Sequence, residues 1–169
     1  GSLSWARLKS AINSSFVINQ LSWWLIAIPV ALILAGAMLP PWEFDVREYH
    51  SQVPKEWFQS GAIEHLPHNS YSSMPLGAEL ISVVPMAWAQ LFSESDAWWF
   101  GALIGKTFLS LYALFAGLAA WGLAVRLGDK SSGAIAAILT VTCPWIGYIS
   151  MTGLNEVALT FFWLSALLV

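Results

Sequence analysis

Two carboxylates stand beside apolar runs of the chain, in places where an acidic side chain can do chemistry. Asp45 follows the run 21–39 by six residues, and Tyr49 comes four residues later, which puts both on one face if the segment is helical. Glu156 directly precedes the apolar residues 157–169. A carboxylate can take a proton from an acceptor hydroxyl as a general base, and two that face one cleft can bind a divalent cation such as Mg²⁺ or Mn²⁺.

Each carboxylate also has an ordinary structural explanation. Carboxylates in loops such as that of Asp45 are usually only solvated. Glu156 follows Thr152 and Asn155, and this composition is typical of a helix N-terminus, where polar and acidic side chains are favoured. The spacing alone therefore leaves both interpretations open.

Lys106 is the only charge in the apolar run 97–125. Charges inside a membrane are costly, so such residues are functional candidates, and its natural partner is a lipid phosphate or Glu79. The alternative is a lysine that reaches the interface along its aliphatic stem. Gly101 and Gly105 in the same run form a G-x-x-x-G motif, which permits close packing of helices.

The three histidines do not indicate a structural zinc site. His65 and His68 are separated by Leu-Pro, Pro67 prevents a regular helix, and no compact third or fourth ligand is evident. His50 and His68 are instead expected to lie at the surface or to hydrogen-bond substrate.

Composition places these residues in a membrane protein. Of 169 residues, 57% are hydrophobic and 10% charged, which is too little polar surface for a soluble globule, and eleven tryptophans suit the bilayer interface. The net charge of −3 gives no electrostatic case for nucleic acid. We therefore expect membrane lipid as a partner.

The hydropathy pattern predicts an all-α integral membrane protein with about four transmembrane helices, the last one truncated. Residues 157–169 would cover only about 20 Å of a ~30 Å core, so we expect a fragment of a longer chain. The predicted order is a cytoplasmic N-terminus (1–20), a first span (21–39), an outer loop (40–96), a second span (97–125), a cytoplasmic turn (126–132), a third span (133–149), a second outer loop (150–156) and the truncated fourth span (157–169).

The apolar segment 75–92 decides the topology. Arg7 and Lys9 place the N-terminus inside, and Arg126 and Lys130 also fall inside only if 75–92 does not cross the membrane. We therefore expect a helix that lies against the outer face or dips into it. Asp45 and Glu156 then lie on the same side.

The outer loop is expected to hold short amphipathic helices that lie on the membrane. Tyr49, Val53 and Trp57 recur every four residues, as on one face of a helix. Pro54 is expected to split or kink this helix and Gly61 to end it.

The loop resembles the first periplasmic loop of GT-C superfamily glycosyltransferases, among them the aminoarabinose transferases of lipid A, the protein O-mannosyltransferases and bacterial transferases of dolichyl-phosphate-mannose type. That family has an Asp after the first span, a Tyr four residues later, a helix that ends near Ser-Gly, a Pro-Leu that opens a hydrophobic helix, and an acidic residue before a later apolar run. The matching residues here are Asp45, Tyr49, Gln59-Ser60-Gly61, Pro75-Leu76 and Asn155-Glu156-Val157.

The resemblance implies an inverting glycosyltransferase in the bacterial inner membrane with its active face periplasmic. It would use a polyprenyl-phosphate-linked sugar donor and an acceptor hydroxyl, with Asp45 as general base and Glu156 as the second acidic residue. The substrate-binding candidates are Tyr49, His50, Arg47, Lys106, His68 and Tyr71.

Two departures from the family pattern matter. Val46 stands where many members have Glu, and Met74 stands where aminoarabinose transferases have a Lys that contacts the lipid phosphate. Another cation, such as Lys106, Arg47, a metal or a residue beyond Val169, would have to take that role. A transporter segment, a membrane scaffold and an inactive fragment remain as alternatives. The sequence leaves the sugar, the acceptor, the metal requirement and the oligomeric state open.

Overall fold

A computed structural model describes Leu21 and residues 23–169. The described part is helical and has no strands. The predicted cytoplasmic segment 1–20 lies outside it. The helices are α1 (Trp23–Ala37), α2 (Gln52–Ser60), α3 (Val83–Ala89), α4 (Ala97–Ser110), α5 (Tyr112–Leu127), α6 (Lys130–Thr142), α7 (Pro144–Thr152) and α8 (Glu156–Ala166), with a π-helical turn (Val46–His50) and 3-10 turns (Ser70–Ser73, Glu79–Ser82) between them.

The prediction of about four transmembrane helices is wrong for the described residues. Only Ala97–Leu127, in which α4 continues into α5 over 31 residues, is long and apolar enough to cross a membrane. α6 and α7 pass the same criterion only together, and they are bent by 53°. The longest of the remaining apolar helices, Trp23–Ala37, has 15 residues and covers about 22 Å of a ~30 Å core.

Local chemistry explains why these apolar runs give shorter helices than expected. α1 ends at Ala37 in a 3-10 type turn, with Leu39 N–H donating to Gly36, just before Pro40 and Pro41. The predicted third span is interrupted at Cys143, which the following Pro144 holds in an extended conformation. Hydropathy averages over these breaks and therefore overcounts continuous helices.

The segment 75–92 forms a short helix packed along α4. Gly101 lies against Met86 and Gly105 against Ser82, and a Cβ atom at either glycine would collide with its neighbour. This pairing places α3 antiparallel to the first half of α4. The G-x-x-x-G motif therefore serves close helix packing, as the sequence predicted.

The segment 40–96, which is the predicted outer loop, folds around its own small apolar core. Val53, Trp57, Leu66 and Leu76 are buried together, and Tyr49 packs against them. The helix is interrupted at Ser51, between the π-helical turn and α2. Pro54 therefore lies inside the first turn of α2, where its missing N–H costs no helical hydrogen bond.

α2 ends as expected at Gly61, which has a positive φ of 71°. The π-helical turn that precedes α2 joins a second core. Val46, the residue after Asp45, is buried with Ile33, Ala113, Ile149, Leu154 and Val157. This contact fixes the loop to α1, α5, α7 and the start of α8.

Large apolar side chains remain exposed along the helices. In the C-terminal half they include Leu139, Trp145, Leu159, Phe162 and Trp163, each more than half exposed. An apolar surface of this extent needs an apolar neighbour, either lipid or protein.

Candidate functional site

The turn between α1 and α2 carries the first predicted carboxylate. Asp45 directly precedes the π-helical turn, its side chain makes no capping hydrogen bond, and it is exposed. Because the next residue, Val46, is buried in the core, the backbone holds Asp45 at a fixed place on the surface. The structure thus leaves this carboxylate accessible to a ligand.

The charges of Asp45 and Glu156 both act on the same tyrosine, Tyr49. Burial raises the pKa of Tyr49 above its ordinary value of 10.0, and the charges of Asp45 and Glu156, then those of Tyr71 and Glu79, raise it further. Two carboxylates far apart in the chain are therefore within electrostatic range of one phenol. The raised pKa keeps Tyr49 a neutral hydroxyl that can donate a hydrogen bond.

Glu156 is exposed and begins α8. The preceding Asn155 occupies the N-cap position but does not cap the helix with its side chain. Its amide instead donates to Glu79 Oε1 at 2.8 Å. The start of α8 is thereby tied to the outer loop, which places Glu156 on the loop side of the molecule.

Glu79 is the buried acid of this region. Its carboxylate is fully buried, and Oε1 also accepts a hydrogen bond from His50 Nδ1 at 2.5 Å. Sequence reasoning treated Glu79 only as a partner for Lys106 and missed this contact. The available signal was an acidic residue inside an otherwise apolar segment.

A polar cleft of about 370 Å³ opens in the segment 47–71. Three predicted substrate-binding residues line it, namely Arg47, His68 and Tyr71, together with Glu48, Gln52, Glu56, Asn69 and Ser70. The ring of Tyr71 stacks on that of Tyr49 with 4.6 Å between centroids. Tyr71 therefore links the cleft to Tyr49, whereas Tyr49, Asp45 and Glu156 do not themselves line the cleft.

The basic side chains that line the cleft differ in whether they already have an acidic partner. His68 Nε2 contacts Glu56 Oε2 at 2.7 Å, so this histidine is already paired. Arg47 is exposed and forms no salt bridge with any residue in the described part of the chain. Arg47 is therefore the cation that remains for an anionic ligand.

The predicted binding residue Lys106 lies outside the cleft. Only 4% of it is exposed, and Nζ donates to the carbonyl oxygen of Leu39 at 2.5 Å. Its stem packs against Gly153, where a Cβ atom would come within 2.6 Å of Lys106 Cγ. The ammonium group of Lys106 therefore lies against the carbonyl of Leu39, just after the C-terminal end of α1. It lies neither beside Glu79 nor at the surface.

Residues that could hold a metal are few. Among Leu21 and residues 23–169, no group of three or more His, Cys, Asp and Glu side chains is arranged to bind a metal ion. The expected Asp45 and Glu156 pair lacks a third protein ligand there.

Comparison of the chain with models of protein families, with curated proteins and with solved structures found no match.

Proposed function

We propose that this chain is a membrane-bound glycosyltransferase that moves a sugar from a polyprenyl-phosphate-linked donor to an acceptor hydroxyl, with inversion at the anomeric carbon. The observation that carries the proposal is that the charges of both Asp45 and Glu156 act on the Tyr49 phenol, whose ring stacks on Tyr71 in the lining of the polar cleft. The resemblance of the loop sequence to GT-C transferases supplies the reaction type.

Asp45 acts as the general base in this proposal. The acceptor oxygen forms a bond to the anomeric carbon, the bond from that carbon to the phosphate oxygen breaks, and the leaving phosphate keeps the electron pair. The proton of the acceptor hydroxyl passes to Asp45, an exposed carboxylate that no capping bond occupies. Glu156 and the neutral Tyr49 hydroxyl orient the acceptor.

Arg47 binds the donor phosphate. It lines the cleft and has no ion-pair partner among the described residues, and guanidinium groups match phosphate geometry with paired hydrogen bonds. This contact takes the role of the lysine that the aminoarabinose transferases have where this chain has Met74. The exposed apolar faces of the helices are where the isoprenoid tail would lie.

The test is a transfer assay in membranes that contain the chain. Asp45→Asn keeps the shape of the side chain and removes the base, so transfer should fall by at least about a hundredfold. Glu94→Gln, an equally conservative change at an exposed carboxylate outside the cleft, serves as the matched control. Unchanged transfer by Asp45→Asn would remove the general base from the proposal.

A further inference from the structure

The environment of Glu79 does not suit a purely structural residue. The side chain is 0% exposed, and its Oε2 atom is a fully buried polar atom without a hydrogen-bond partner in the described part of the chain. An unsatisfied buried oxygen on an acidic group costs free energy, and an apolar side chain of similar volume would avoid that cost. A function is the usual reason for keeping such a group.

Glu79 is held firmly in place by its neighbours. It begins the 3-10 turn Glu79–Ser82, and Ser82 packs directly on Gly105 of α4. Asn155 at the start of α8 donates to Oε1 from the other side. Because two elements fix this carboxylate, it can fix whatever it binds in turn.

The residue that Glu79 binds is His50. The imidazole is 6% exposed, its ring centroid lies 4.2 Å from that of Tyr49, and Nδ1 contacts Glu79 Oε1. A carboxylate on Nδ1 sets the proton on that nitrogen and fixes the orientation of the ring. Nε2 forms no hydrogen bond with a described residue, and it is not among the fully buried unsatisfied atoms.

We propose that Glu79 is a positioning residue that holds His50 with Nε2 free to hydrogen-bond a hydroxyl of the bound saccharide. The identity of the ligand rests on the proposed function, whereas the coupling of Glu79 to His50 does not. The ring of Tyr71, which stacks on Tyr49 and is 38% exposed, offers an aromatic surface on which a sugar ring can pack.

The coupling is tested by the ¹⁵N chemical shifts of the histidine rings in the intact chain. His50 is assigned by comparison with His50→Gln and should carry its proton on Nδ1. Glu79→Gln should change the Nδ1 and Nε2 shifts of His50, whereas Glu56→Gln, which changes the carboxylate partner of His68 instead, should not. A proton on Nε2 in the wild type, or unchanged shifts in Glu79→Gln, would overturn the proposal. If Glu79→Gln does not fold, the wild-type shifts decide.

The ligand contact is tested with two lipids in nanodiscs, decaprenyl-phosphate glucose and decaprenyl phosphate without the sugar. His50→Gln should weaken binding of the sugar-bearing lipid by roughly tenfold, the loss of one good hydrogen bond, and leave binding of the bare phosphate lipid unchanged. An equal loss for both lipids, or none, would overturn the saccharide contact. If the wild type binds neither lipid, the proposed function and this contact are both rejected. The ¹⁵N shifts of His50 would then still test whether Glu79 positions that ring.

Discussion

Asn155 donates a hydrogen bond from its amide to the carboxylate of Glu79 at 2.8 Å, although 76 positions separate the two residues in the chain. The contact joins the outer loop to the start of α8. It thereby sets the position of Glu156, the next residue, relative to Asp45 and Tyr49.

Loss of this contact should destabilise the protein. Asn155→Ala removes a donor to a buried acidic side chain, which costs about 1.5–3 kcal/mol. Asn69→Ala is the comparison, since that side chain lies at an exposed site, where it donates to the Glu48 carbonyl and accepts from Tyr71 N–H, and its loss should cost less. Thermal unfolding in detergent measures both, and an equal midpoint for the two variants would contradict the structural role of Asn155.

The phenol of Tyr49 should titrate above pH 10. Its pKa is raised by burial and then by the charges of Asp45 and Glu156, so Asp45→Asn and Glu156→Gln should each lower it. Phenolate absorbance near 295 nm, with Tyr49→Phe subtracted, follows this group. A Tyr49 pKa that neither variant changes would mean that the carboxylates are not near the phenol.

The same group predicts the direction of a stability change at high pH. The folded protein binds the Tyr49 proton more tightly than the unfolded chain does, so its contribution is complete below pH 10 and is lost as the pH rises through the folded pKa. Tyr49→Phe should therefore lose less stability than the wild type between pH 9 and pH 12. Parallel losses in chemical denaturation would contradict this assignment.

The packing of α3 on α4 should not tolerate side chains at the glycines. Gly105→Ala places a Cβ atom against Ser82 and should destabilise the protein by about 1–3 kcal/mol. Gly147→Ala in α7 is the control, because nothing lies within 4 Å of its added Cβ and alanine favours the helix. Similar unfolding midpoints for Gly105→Ala and the wild type would show that α3 does not pack there.

Much of the local structure could be predicted because short-range chemistry determines it. Gly61 ends α2 in a left-handed conformation, and Gly101 and Gly105 allow close contact with α3. The number of spans was predicted wrongly, because mean hydropathy does not register the break that Pro144 makes between α6 and α7. Periodicity reports which face of a helix is apolar but not where two helices separate.

The buried polar contacts could not be predicted for a different reason. His50, Glu79 and Asn155 belong to three separate elements, and only the tertiary fold brings them together. Lys106 likewise meets a backbone carbonyl at Leu39, an acceptor that every residue carries and no sequence motif marks. Spacing rules address contacts within one element, so such contacts between elements stay hidden.

Lys106 should contribute to stability rather than to donor binding. Lys106→Met removes the donor to the Leu39 carbonyl and should lower the free energy of unfolding by about 1–3 kcal/mol. Lys55→Met is the control, because that ammonium lies over the Trp98 ring at 4.0 Å nearer the surface. Binding of decaprenyl phosphate should be unaffected by Lys106→Met. A large loss of affinity would instead show that Lys106 contributes to donor binding.

The most direct test of the account labels single cysteines with a membrane-impermeant maleimide. In a Cys143→Ser background, Asp45→Cys and Glu156→Cys should both react from the same side of sealed vesicles, since both residues are exposed and the charges of both act on Tyr49. Gly128→Cys, beyond the far end of the helix Ala97–Leu127, should react only from the other side. Labelling of positions 45 and 156 from opposite sides would contradict the account, because the two carboxylates could not then serve one site.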